Sequence, residues 1–179
     1  MNRIAKFEKV SFEQFLKDYA ETNNLEVYGA DAAKNIMHIQ AVYDALKLPK
    51  RATKGSAGYD FYAPEDITLE PGETLKIPTG IRAKMDEDYV LMLFPRSGLG
   101  FKFRMQLNNT VGIVDCDYFY SSNEGHIFAK ITNDTNEKKI VKVKAGDGFM
   151  QGIFMQYGIT EDDDADGIRD GGFGSTTGR

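Results

Sequence analysis

The chain has 179 residues, 41% of them hydrophobic and 27% charged, with a formal net charge of -5. That length suits one domain with a real core, and the negative balance argues against a general nucleic-acid binder. The longest purely apolar run, residues 89–94, is far too short to span a bilayer, and the mixed N-terminus has no signal-peptide h-region. The single cysteine, Cys116, excludes an internal disulfide framework and suits a reducing cytoplasm.

Residues 1–10 read as a short strand. Ser11 followed by Gln14 makes a capping box, and Phe12, Phe15, Leu16 and Tyr19 then recur at helical spacing. A second helix carries Ala32, Ile36, Ile39, Tyr43 and Leu46 on one stripe, with Asp31 as its N-cap and Pro49 beyond its end. His38 lies beside that stripe as a solvated or packed side chain, since no Cys or His pairs with it.

From Thr53 the pattern becomes one of strands. Ile67 and Leu69 alternate into the turn Glu70-Pro71-Gly72-Glu73, and Leu75 and Ile77 answer them. Ile81, Ala83 and Met85 alternate into Asp86-Glu87-Asp88, after which Val90, Met92 and Phe94 are expected on one face. Ile127, Ala129 and Ile131 pair in pattern with Val141 and Val143 across a polar turn, and residues 149–157 form the last strand. His126 reads as a surface strand residue and Cys116 as a small packed one. Short strands at this spacing predict a mainly β sandwich, jelly roll or barrel. The division expected is an N-terminal strand and helical extension over 1–50, a β core over 51–160, and an acidic linker with a mobile Gly-rich arm over 161–179.

The chemistry concentrates in Val111-Gly112-Ile113-Val114-Asp115-Cys116-Asp117-Tyr118. As a strand, this run puts Asp115 and Asp117 on one face. Two acids there suit a general base with its partner, a metal pair, or simply turn geometry. Pro95-Arg96-Ser97-Gly98-Leu99-Gly100 closes a strand with a guanidinium, a hydroxyl and glycines, a set suited to phosphate oxygens or to a strand-to-helix turn. The tail from Arg169 to Arg179 repeats that chemistry around Phe173, a ring that could stack on a base.

Together with Ala57-Gly58-Tyr59-Asp60-Phe61 and Gly146-Asp147-Gly148-Phe149-Met150-Gln151, these runs resemble, in order and spacing, the five motifs of the trimeric dUTPases. The likeness extends from about residue 48 onward. It implies a jelly-roll-like fold and a homotrimer with shared active sites. It also implies hydrolysis of dUTP to dUMP and pyrophosphate. In that resemblance Asp115 activates the water that attacks the α-phosphate. Tyr118 packs where a 2′-hydroxyl would sit, while Asn109 and the backbone around Gly112 read uracil. Arg96, Ser97, Gly98 and Gln151 hold the phosphates, supported by Asp60. Phe173 stacks on the base while Arg169, Gly174, Ser175 and Thr176 close over the triphosphate. Mg2+ would be held by the substrate's phosphates, with no direct protein ligand. Four departures stand out. A Phe119-Tyr120-Ser121-Ser122-Asn123 insertion follows motif three, Gly148 stands where motif four usually has a cation, and motif five has one residue fewer between Arg169 and Gly172. The fourth is a long helical lead-in that could cover the trimer, extend its interface or bind a regulatory protein partner. A dCTP deaminase-like enzyme, which would need a glutamate near position 115, and a dUTP-sensing regulatory protein of the same fold are the rival readings.

Overall fold

The computed structural model describes residues 2–167 and residue 169; Phe173, Gly174, Ser175 and Thr176 lie outside the described residues. Strands β1 (Ala5–Lys9), β2 (Tyr59–Tyr62), β3 (Ile67–Leu69), β4 (Thr74–Pro78), β5 (Ile81–Met85) and β6 (Tyr89–Pro95) precede β7 (Met105–Leu107), β8 (Gly112–Val114), β9 (Phe128–Asn133), β10 (Val141–Val143) and β11 (Gly148–Gln156). The helices are α1 (Phe12–Asn23), α2 (Ala32–Ala45) and α3 (Ser97–Phe103), with a 3-10 turn over Cys116–Tyr120.

Antiparallel pairing runs across long stretches of chain: β1 with β5, β3 with β10, β4–β9–β7, and β2–β11–β6–β8. Neighbours in sequence therefore fall in different sheets, the jelly-roll-like arrangement of a mainly β fold. The Pro71-Gly72 turn forms as expected, with Gly72 at φ 84° and Glu73 N–H donating to Glu70 O at 3.0 Å. It does not close a hairpin, however. β3 pairs with β10 and β4 with β9, and the pattern-matched Ile131 and Val141 strands likewise find other partners.

Ile67, Leu69, Ile77, Ile81, Ala83, Met85, Ala129, Ile131, Val141 and Val143 all face one core with Leu91, Phe61 and Phe149. Strand β6 has the opposite phase to that expected: Leu91 and Leu93 are buried, and Val90, Met92 and Phe94 are half-buried. Every residue of that run is apolar, so alternation carried no information about which face turns inward.

The helices build a second cluster from Val10, Phe15, Tyr19, Ala20, Ile39 and Val42. Only half of the capping box forms. Ser11 Oγ accepts from Gln14 N–H at 3.1 Å, but the Ser11 N–H is taken by Glu124 Oε2 at 2.7 Å, and Gln14 turns to Asp18 instead. Asp31 occupies the N-cap of α2 without a side-chain cap bond. His38 pairs with Glu65 at 3.0 Å. No helix among the described residues is long and apolar enough to cross a membrane.

Candidate active site

Strand β8 ends at Val114, earlier than the expected strand. Asp115 remains extended, but its carbonyl accepts from Tyr118 N–H at 3.2 Å, which turns the chain into the 3-10 segment. Asp115 and Asp117 converge nonetheless. The Arg169 guanidinium spans them, its Nε donating to Asp117 Oδ1 at 2.7 Å and its Nη2 to Asp115 Oδ2. Arg169 thus lies on the acids of its own chain.

Asp115 and Arg169 border a cleft of about 290 Å³ that also holds Asn109, Gly112 and Tyr118. Gly112 belongs there for space, because a Cβ would press to 3.0 Å on Leu93. Tyr118 is buried; its hydroxyl donates to His126 O at 2.7 Å and accepts from Asn123 Nδ2 at 2.8 Å. Burial pushes that hydroxyl above the ordinary tyrosine range, so it stays a neutral donor. Burial, with Asp117 beside it, also raises the Cys116 thiol, which leaves it protonated and a poor nucleophile.

The phosphate-type residues form a separate group. Arg96 caps α3 from the end of β6, with its Nε 3.7 Å from Asp60 Oδ1 and its Nη1 3.4 Å from Gly148 O. Ser97 and Gly98, both exposed, open the first turn, in which the Leu99 and Gly100 N–H groups donate to Arg96 O at 3.0 Å. Gln151 sits opposite Asp60 in the β2–β11 ladder and donates to Pro95 O at 3.4 Å. Glycines make the room: a Cβ at Gly148 would lie 3.1 Å from Arg96 Nη1, and one at Gly58 2.7 Å from Gln151 Oε1. A bulge at Phe149 sets this corner, where Arg96 N–H donates to Phe149 O at 3.1 Å.

The two groups do not meet within one chain. Leu91 pairs with Val114, so Asp115 lies level with Val90, while Arg96 lies past the other end of β6. Six residues of strand separate them, roughly 20 Å.

His126 is fully buried, not a surface residue. Its Nε2 accepts from Gly80 N–H at 2.8 Å, so Nδ1 carries the proton and donates to Asp18 Oδ2 at 2.5 Å. The sequence marks Asp117 as a candidate partner of Asp115, whereas it gives Asn123, His126 and Asp18 no site role. Those three have no motif of their own, and their significance comes from what they touch.

A larger groove of about 830 Å³ runs beside α1, but none of the motif residues lines it, so the smaller cleft is the candidate site. No group of three or more His, Cys, Asp or Glu side chains that could hold a metal is found among the described residues.

The sequence profile of the dUTPase family matches residues 44–177, and the chain belongs to that family. It is 40% identical over 134 residues to the deoxyuridine 5'-triphosphate nucleotidohydrolase of Lactococcus lactis, a match covering 73% of this chain and 88% of the relative. The crystal structure of dUTPase from Streptococcus mutans superposes with a TM-score of 0.60 at 32% identity, over 87% of this chain and 98% of that one. The dUTPase of phage phi11 of S. aureus, described with a structural Mg(II) ion, shares the fold with a TM-score of 0.55 at 21% identity, covering 70% and 93% of the two chains.

Proposed function

We propose that the protein hydrolyses dUTP to dUMP and pyrophosphate with Asp115 as general base. The observation that carries this reading is the convergence of Asp115, Tyr118, Asn109 and Gly112 on one cleft. Asp115 accepts a proton from water as the water oxygen bonds to the α-phosphorus. The bond from that phosphorus to its bridging oxygen breaks, and pyrophosphate leaves. Tyr118 forms the wall that a 2′-hydroxyl would strike, and Asn109 faces the base. Arg96 with Ser97, Gly98 and Gln151 binds the phosphates, and Asp60 orients the Arg96 fork. When substrate enters, its phosphates compete for Arg169, which leaves the Asp115 carboxylate open to the water. Phe173, Gly174, Ser175 and Thr176 close over the nucleotide.

The roughly 20 Å between Asp115 and Arg96 along β6 supports a site assembled between copies of the chain, in a homotrimer. Mg2+ fits as a cation carried on the triphosphate, since the facing carboxylates of Asp115 and Asp117 are spanned by Arg169 rather than open to a metal. Bound there, it offsets the anionic charge of the phosphates. A single cysteine and the nucleotide substrate suit a cytoplasmic enzyme.

Pyrophosphate release measured with dUTP, dCTP and UTP tests the proposal. Turnover confined to dUTP is expected. Ammonia release from dCTP would indicate a deaminase, and dUTP binding without turnover a sensor.

A further inference from the structure

Two parts of this chain converge on Tyr118: the helical lead-in before residue 44, where the family match begins, and the stretch 119–123 that follows motif three. From the latter, Asn123 Nδ2 donates to the Tyr118 hydroxyl at 2.8 Å, and Asn123 Oδ1 accepts from Gly125 N–H at 3.2 Å. Gly125, at φ 70°, lets the chain double back tightly over the tyrosine. A Cβ there would lie 2.7 Å from both Tyr118 O and Phe119 Cα.

The doubling back brings His126 O to the same hydroxyl, 2.7 Å away. The His126 ring, with no solvent exposure, is held on one side by Gly80 N–H and on the other by Asp18 of α1. Glu124, between these two, ties its carboxylate to Ser11 at the start of α1 through bonds of 2.7 and 2.6 Å. Tyr118 is thus clamped through its oxygen by two donor–acceptor contacts, one from Asn123 and one to the carbonyl of His126, whose ring is held by Asp18 of α1.

We propose that Asn123 and Asp18 are positioning residues that hold the Tyr118 ring as a rigid wall and so sharpen selection of the deoxyribonucleotide. The inference rests on the sugar-gate role of Tyr118 proposed above. A steric gate rejects an extra hydroxyl only as well as its wall resists displacement. A tyrosine anchored at its far end resists better than one held by packing alone. Asp18 acts at one remove, because the carbonyl that Tyr118 reaches belongs to the residue whose ring Asp18 fixes.

The test compares kcat/KM for dUTP and for UTP in Asn123→Ala, Asp18→Ala, Asp18→Asn and Tyr118→Ala, each assayed well below its melting temperature. Loss of one anchoring hydrogen bond should relax the dUTP:UTP ratio by about five- to tenfold in Asn123→Ala and in Asp18→Ala. Asp18→Asn keeps an acceptor for His126 Nδ1 and should recover most of the selectivity. In Tyr118→Ala, adding Asn123→Ala should change the ratio no further. Variants that lose stability but keep the wild-type ratio would overturn the positioning role. Should Tyr118→Ala itself keep the wild-type ratio, the gate assignment beneath the proposal fails instead, a distinguishable result. Asn123, half-buried at the surface, keeps the test open should the Asp18 variants not fold.

Discussion

At the scale of single residues, Asp115 and Asp18 invite the sharpest expectations. Asp115→Asn removes the proton acceptor yet keeps the shape of the cleft, so kcat should fall by about 10²–10⁴-fold with dUTP binding retained. Near-normal turnover would remove Asp115 from that role. Arg169→Ala removes the cation shared by the two acids and then by the phosphates, so the effect should fall mainly on KM for dUTP, read by steady-state kinetics. Burial raises the Asp18 carboxyl, but hydrogen bonds from His126 and Gln14 outweigh it and hold the group below its ordinary value of 3.8. With the folded value below the unfolded one, Asp18 contributes stability above pH 3.8 that is lost as pH falls further. Thermal unfolding followed from pH 6 to pH 3 should therefore show a shallower acid limb in Asp18→Asn than in wild type.

The elements show how far local pattern reaches. In β5, β9 and β10, alternation correctly marked the buried residues, because each strand interleaves apolar with polar positions. In β6 it could not, and the inward face is Leu91 and Leu93 rather than Val90, Met92 and Phe94. Leu91→Ala, at a fully buried site, should cost about 2–5 kcal/mol in denaturant unfolding. Met92→Ala, at a half-buried site, should cost clearly less. Equal losses would mean that both faces of β6 are covered in solution. Gly80 joins the helical cluster to the core: at φ 71° it brings its N–H to His126 and its carbonyl to Val10 N–H at 3.0 Å, with Leu46 and Phe15 filling the space a side chain would need. The strand expected across Asp115 and Asp117 failed for a local reason, since a carbonyl taken by an i+3 amide is withdrawn from the ladder.

For the whole molecule, the distance between Asp115 and Arg96 has a direct consequence. Asp115→Asn and Arg96→Ala should each be nearly inactive as homo-oligomers. Unfolded and refolded together in equal amounts, they should recover activity if each site draws the two residues from different copies. In a cyclic trimer every mixed assembly then holds one intact site of three. Random mixing makes about three quarters of the trimers mixed, so recovery should approach about one quarter of wild type. Sedimentation would establish that mixed assemblies form, and their inactivity would show that one chain supplies both residues.

The sequence by itself determined the mainly β class, the helices that open the chain, most of the inward-facing residues and the runs that mark the family. All of these are local: side-chain period, turn chemistry and motif order are written in neighbouring residues. Only the tertiary structure decided that β3 takes β10 and β4 takes β9, or that His126 is buried between Gly80 and Asp18. It alone separated the phosphate-type residues from the acids. Strand partners are joined by backbone amides and carbonyls, which are the same at nearly every residue and leave no mark in composition. The burial of His126 is likewise a product of distant segments brought together, and no short window along the chain contains it together with Gly80 and Asp18.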